Sequence, residues 1–160
     1  MGVQKYVSDV KTLNWSNEIV YDRLSNLEFL NFLFNPENLE RAKQQMGDKA
    51  DKFNIEDFSA DRDSCRFTIS PVGQIGLRIV EREEDKTIKI TNDAGPMDFT
   101  IWIQVLPINN FSSKLRLTIH TELNMMMKMM IGKKLKAGVN QIADGFTQIP
   151  FGSIPSANRF

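Results

Sequence analysis

The sequence predicts an α+β fold: a curved seven-stranded antiparallel sheet wrapped around a long C-terminal helix, with two short helices between the first strand and the second. Three observations predict it. Between residues 53 and 123 apolar and polar side chains alternate in six successive runs, the period of two that half-buried strands require. Short turn-forming connections join the runs, and these fit only antiparallel neighbours, because a parallel pair needs a crossover of a dozen or more residues. After Leu123 the period becomes helical, with one continuous apolar stripe.

Each element has its own signal. Val3 to Thr12 mixes Val3, Val7 and Val10 with Tyr6 and charged residues and reads as the opening strand. Ser16 caps a short helix over 17–25, where Glu18 sits in the first turn and Ile19, Val20, Leu24 and Leu27 recur near helical spacing. Asn35-Pro36-Glu37 opens a second helix, cap then proline then acid, which Leu39 to Gln45 continue until Gly47. Phe53 and Ile55 begin the alternating runs, and Cys65, Phe67 and Ile69 follow Asp61-Arg62-Asp63. Pro71-Val72-Gly73 turns the chain into Ile75, Leu77 and Ile79; the acidic tip Glu83-Glu84-Asp85 returns it through Ile88 and Ile90. Phe99, Ile101, Ile103 and Val105 form the next run, and Leu115, Leu117, Ile119, Thr121 and Leu123 the last.

One face of such a sheet is apolar and must be covered. Leu135, Val139, Ile142, Phe146 and Ile149, spaced by four, three, four and three, provide the cover. Their helix runs from Asn124 to Pro150, roughly 25 residues or about 38 Å at 1.5 Å per residue. Gly132, Gly138 and Gly145 lower its intrinsic propensity, so tertiary packing must hold it. The tail from Phe151 to Phe160 reads as an irregular extension of a single domain spanning 1–160.

Composition narrows the function classes. Twenty basic and twenty acidic residues cancel, and with no basic block there is no electrostatic reason to expect nucleic acid or an anionic membrane as the main partner. No run of apolar residues is long enough for a membrane span, and the N-terminus lacks a secretory pattern. The single cysteine, Cys65, excludes an internal disulfide and fits a reducing cytoplasm. With His120 the only histidine, a Cys/His metal cluster is not possible, and neither a metal nor a cofactor is expected. Phosphate-loop, dinucleotide, serine-hydrolase and zinc-protease motifs are absent from the sequence.

The order strand, two short helices, six-strand meander, long helix resembles that of the START-like, or SRPBCC, superfamily, whose fold is called helix-grip. Ser16-Asn17-Glu18-Ile19-Val20-Tyr21 followed by Leu24-Ser25-Asn26 is similar to its opening-helix pattern. The stretches 63–67, 71–83 and 99–104, with Ala143-Asp144 and Ile149-Pro150, resemble an uncharacterised branch from Bacteroidetes-type bacteria. One departure is that Met125, Met126 and Met127 follow Asn124, where that branch tends to Asn-Pro-Phe. The superfamily includes the birch pollen allergen family, lipid-transfer START domains and aromatic polyketide cyclases. The resemblance implies a hydrophobic cavity between sheet and C-terminal helix.

The expected function is binding of a small apolar, lipid- or polyketide-like ligand there. Phe67, Ile69, Leu77, Ile79, Ile90, Phe99, Ile101, Ile103, Leu117 and Ile119 would face Met126, Met130, Leu135, Val139 and Ile142 across the cavity, with Thr121 and Tyr21 as polar anchors. A cyclase or dehydratase would need an inward titratable group, and the inward positions are almost wholly apolar, so no catalytic residue is expected. His120 and Trp102 fall out of phase, on the outer face, where Trp102 marks a candidate homodimer contact; a different register would instead place Trp102 in the cavity lining. A homodimeric interaction protein with a collapsed cavity is the remaining alternative.

Overall fold

The computed structural model describes residues 3–33, 37, 40, 44, 54–70, 73–95 and 98–154. The chain runs β1 (Gln4–Val7), β2 (Lys11–Leu13), α1 (Asn17–Leu24), α2 (Phe29–Leu33), β3 (Asn54–Ala60), β4 (Ser64–Ser70), β5 (Gly73–Glu83), β6 (Thr87–Ala94), β7 (Phe99–Asn109), β8 (Ser112–Thr121) and α3 (Met125–Phe146), and a 3-10 turn follows at Phe151–Ser153. One antiparallel sheet holds every strand in the order β1-β8-β7-β6-β5-β4-β3, with β2 also on β8. Among the described residues no helix is long and apolar enough to cross a membrane.

Eight strands replace the expected seven because the opening strand breaks at Ser8. The Ser8 amide donates to the Leu117 carbonyl, but the Leu117 amide donates to the Ser8 hydroxyl rather than to a strand carbonyl, each at 2.9 Å. The ladder thus passes through a side chain, and β2 resumes the pairing at Lys11. Of the second expected helix, Glu37, Glu40 and Gln44 are helical and the rest lies outside the described residues, as do Phe53, Pro71 and Val72. An additional short helix, α2, precedes it and was not expected from the sequence.

Among the described residues four register shifts interrupt the sheet, one of them between Pro107 and Asn109 near the β7–β8 turn. Those in β3, β5 and β6 bend its middle, since an extra residue in one strand kinks it and raises its twist. In β3 the register shifts between Glu56 and Ser59, where Asp57 takes a positive φ of 54°. The shift brings Phe58 into parity with the inner face, and its ring stacks on Phe67 with centroids 6.0 Å apart. In β5 the shift lies between Ile79 and Glu81, so Arg82 rather than Glu81 shares the register of Ile88. In β6 Asp93 is the extra residue, and its carboxylate covers Gly76, leaving no room there for a Cβ, between Arg66 and Arg78.

Turn chemistry closes the β3–β4 hairpin. The Asp61 carboxylate accepts from the amides of Asp63 (2.9 Å) and Ser64 (2.8 Å) and from the Ser64 hydroxyl. The backbone amide of Ser64, then that of Asp63, hold the Asp61 carboxyl below its ordinary value of 3.8. A carboxyl lowered by folding stabilises above its unfolded pKa, and that contribution disappears as pH falls through the folded one. The Asp61→Ala variant should therefore melt below wild type at neutral pH, and thermal melts at decreasing pH should show the gap closing below about 3.8.

The packed core lies on the inner face, toward one end of the sheet. Val20 and Leu24 of α1 are fully buried there with Leu13, Ile88, Val105, Leu115 and Leu117. Ser16 caps α1, its hydroxyl accepting from the Ile19 amide. Asn17 donates to the Asp85 carbonyl, and Arg82 donates to the Ser25 carbonyl at 2.8 Å and pairs with Asp63 at 2.6 Å, tying both ends of α1 to the β5 edge.

Candidate ligand-binding site

α3 lies along one side of the inner face. It packs on β8, β1 and β2, with Val139 and Ala143 buried among the sheet residues. The Asp9 amide donates to the Asn140 side chain at 2.8 Å, and Lys11 pairs with Asp144 at 2.7 Å. Gly132 comes down near the Tyr6 hydroxyl. The helix therefore runs alongside β1 and β2 in the same direction, from Tyr6 opposite Gly132 to Lys11 opposite Asp144.

The strands on the other side of the sheet are not packed by α3 in this way. Across the inner face, Tyr6, Ile119, Ile101, Ile90 and Ile79 share one row, and Leu117, Ile103 and Ile88 the next. Ile79, Ile90, Ile103, Leu117 and Ile119 are buried, as is Thr121. Phe67, Leu77, Phe99 and Ile101 point to the same face yet remain partly exposed, as does Phe58 beside Phe67, and Leu30 and Tyr21 are also partly buried against the core. Among the described residues the inner face therefore has a fully packed part and a part whose apolar side chains keep contact with solvent.

The helix residues divide accordingly. At 100° per residue, Asn140 and Asp144 mark the flank of α3 beside β1, and Leu135 and Ile142 fall on the opposite flank, turned toward the partly exposed strands. Leu135 is half-buried and Ile142 is 51% exposed. Met126 is a correction: it repeats in phase with Asn140 and Asp144 and is 71% exposed, so it faces away from the open strands. The side chains of Ile69 and Met130 lie outside the described residues.

The two polar candidates differ in what they have left to offer. The Thr121 hydroxyl already donates to the Asp98 carbonyl at 2.8 Å. The Tyr21 hydroxyl makes no hydrogen bond to the described residues, and it is held above its usual pKa of 10.0, first by burial, with Glu84 and Asp85 reinforcing and Arg82 opposing. It stays protonated at neutral pH and able to donate. Arg82, although turned inward by the β5 bulge, is committed to Asp63 and the Ser25 carbonyl.

Cys65 lies buried between Ala60 and Leu77, and burial pushes its thiol up to about 11. The thiolate that would act as nucleophile is therefore scarce at neutral pH. Cys65 is expected to resist a thiol reagent such as iodoacetamide in the folded protein and to react rapidly in urea; equal rates would show the site open.

The outer face carries the other candidates. Trp102 meets the His120 ring edge-on at 4.5 Å between centroids, and the Lys89 ammonium stands 5.6 Å above the indole. His120 Nε2 is buried without a hydrogen-bond partner among the described residues. Two depressions of ≈ 560 and ≈ 420 Å³ also open on this side, one lined by Glu81, Arg82, Glu83 and Trp102, the other by Lys86, Lys114 and Arg116 among others. The first has charged walls, and the second, which Val10 and Leu106 also line, is broadly open to water, so the continuous apolar inner face is the better candidate for an apolar molecule.

No family model matches the sequence, and no curated protein matches it. Solved structures do. Norcoclaurine synthase from Thalictrum flavum, in complex with dopamine and hydroxybenzaldehyde, aligns over 97% of this chain and 90% of its own at 10% identity and a TM-score of 0.61. A START superfamily protein from Mycobacterium smegmatis aligns over 88% and 98% at 13% identity and 0.53. A conserved protein from Geobacillus kaustophilus aligns over 90% of both chains at 14% identity and 0.53. At such identities the likeness is one of fold, and the fold that this chain shares with these structures is the helix-grip fold.

Proposed function

We propose that the protein binds a small hydrophobic molecule over the solvent-contacting part of the inner face, between the strands and the Leu135–Ile142 flank of α3. The observation that carries this reading is the pattern of exposure on one continuous apolar face: Ile103 is 5% exposed, whereas Ile101, two residues earlier on the same side of β7, keeps contact with solvent. Phe67, Leu77 and Phe99 share the condition of Ile101. Removing such surface from water is worth about 25 cal/mol per Å². Tyr21 would supply a hydrogen bond to a polar end of the ligand. The fold relatives fit the reading, and one of them is an enzyme.

Native mass spectrometry of freshly purified protein tests it. A bound apolar mass that organic extraction removes is the expected result; a protein that arrives empty and takes up no fatty-acid or aromatic probe would end the proposal. If the bound molecule is chemically altered on incubation, the cyclase or dehydratase reading replaces simple binding, with Tyr21 the first residue to substitute.

A further inference from the structure

We propose that the first half of α3 docks the protein onto an anionic lipid surface, its methionines entering the acyl boundary and its lysines meeting the headgroups. Met125, Met126 and Met129 are 77%, 71% and 82% exposed. These are values for side chains left uncovered by the described residues, in a residue type that adapts to irregular apolar surroundings. Lys128, Lys133, Lys134 and Lys136 are exposed on the same stretch, and no aspartate or glutamate occurs from residue 123 to residue 143. The neutral total charge conceals this segregation, because the compensating acids lie elsewhere, for instance at the Glu83-Glu84-Asp85 tip.

The geometry orders the two chemistries along one flank. Met126, Met129, Lys133 and Lys136 are spaced by three, four and three, a single helical stripe on the side that carries Asn140 further along. Met126 and Lys133 are about 10 Å apart along the axis at 1.5 Å per residue. With α3 tilted so that its N-terminal end enters first, methionines seated at the depth of about 5–10 Å usual for interfacial apolar groups leave the lysines, about 10 Å further along the axis, at phosphate level. Val3, 56% exposed at the start of β1, adds apolar surface at the same end of the molecule.

Charge selects the membrane over a second copy of this chain. In a symmetric dimer, parallel stripes would set lysines against lysines and antiparallel stripes would press the methionines onto lysines, and neither pairing supplies an acid to these charges. An anionic bilayer attracts each lysine, by a factor of roughly five in binding constant per residue near the surface.

Sedimentation of the full-length protein with phosphatidylcholine vesicles, with and without phosphatidylserine, is the test. Binding to the serine-containing vesicles alone, lost in raised salt, is expected. Lys133→Ala with Lys136→Ala should weaken it roughly 25-fold, and Met126→Ser with Met129→Ser should weaken it while keeping the preference for anionic lipid. The proposal is overturned by equal binding to both vesicles, by no binding, or by lysine variants that bind as wild type does. All four substitutions are on exposed positions, so thermal melts should match wild type. Bound ligand is read separately by native mass spectrometry: a protein that holds its ligand but ignores vesicles refutes the docking surface and leaves the ligand site standing, and the reverse outcome does the opposite.

Discussion

Phe151→Ala is expected to destabilise the protein by about 3–5 kcal/mol, the range for emptying a fully buried phenylalanine site. Phe151 is 0% exposed although it follows the last long helix and lies between a proline and a glycine. Its surroundings explain why the site would not collapse to fill the space. The Arg23 guanidinium of α1 donates to the Phe151 carbonyl at 3.2 Å and to that of Ile154 at 3.0 Å, fixing the backbone on both sides. The Trp15 indole lies so close over Gly152 that a Cβ there would overlap it, and the Ser113 hydroxyl donates to the Trp15 carbonyl. The 3-10 turn is thereby clamped between α1 and the strands, and a void left by the ring would persist. Urea titration followed by circular dichroism measures the loss. Phe111→Ala, at the tip of the β7–β8 hairpin and 81% exposed, is the control and should stay within about 0.5 kcal/mol of wild type. A Phe151→Ala loss as small as that would mean the turn is not part of the core.

The Phe151 segment also marks where the sequence stops being legible. Alternation from Cys65 to Leu123 foretold the strands, because a half-buried sheet leaves its period in every run. The helix was equally plain. Its rotation was not: the line of closest approach passes through Gly132 and Ala143, whose small size admits the sheet but adds almost nothing to an apolar pattern. Judged by its large residues alone, the stripe centres nearer Ile142, which the structure leaves at the edge. Bulges escaped for a related reason. Strict alternation turns Asp57 inward and Phe58 outward, and only the left-handed backbone at Asp57, tolerable for aspartate, exchanges them. Phe151 and Ile154 carried the opposite signal, punctuation by glycine and proline, which reports local turns and says nothing of burial. The inward candidates on β4–β7 followed from parity. Which of them keep contact with solvent depends on where α3 comes to rest, a long-range outcome no local pattern encodes.

That distinction gives the strongest test of the site. Ile103→Arg is expected to unfold the protein or cost it more than about 4 kcal/mol, because an unpaired charge would be driven among Leu117, Ile88 and Val105, all at most 2% exposed. Ile101→Arg, two residues away on the same face, should cost no more than about 1–2 kcal/mol, since the long side chain can carry its guanidinium into the space Ile101 already borders. The same arginine would occupy that space and place a charge in it, so a bound apolar ligand should be lost from the Ile101→Arg protein while its fold survives. Thermal melts and native mass spectrometry on the pair read both effects together. If the two substitutions prove equally damaging, Ile101 belongs to a closed core and the inner face has no chamber. If Ile101→Arg folds and still carries its ligand, the molecule binds elsewhere on the protein.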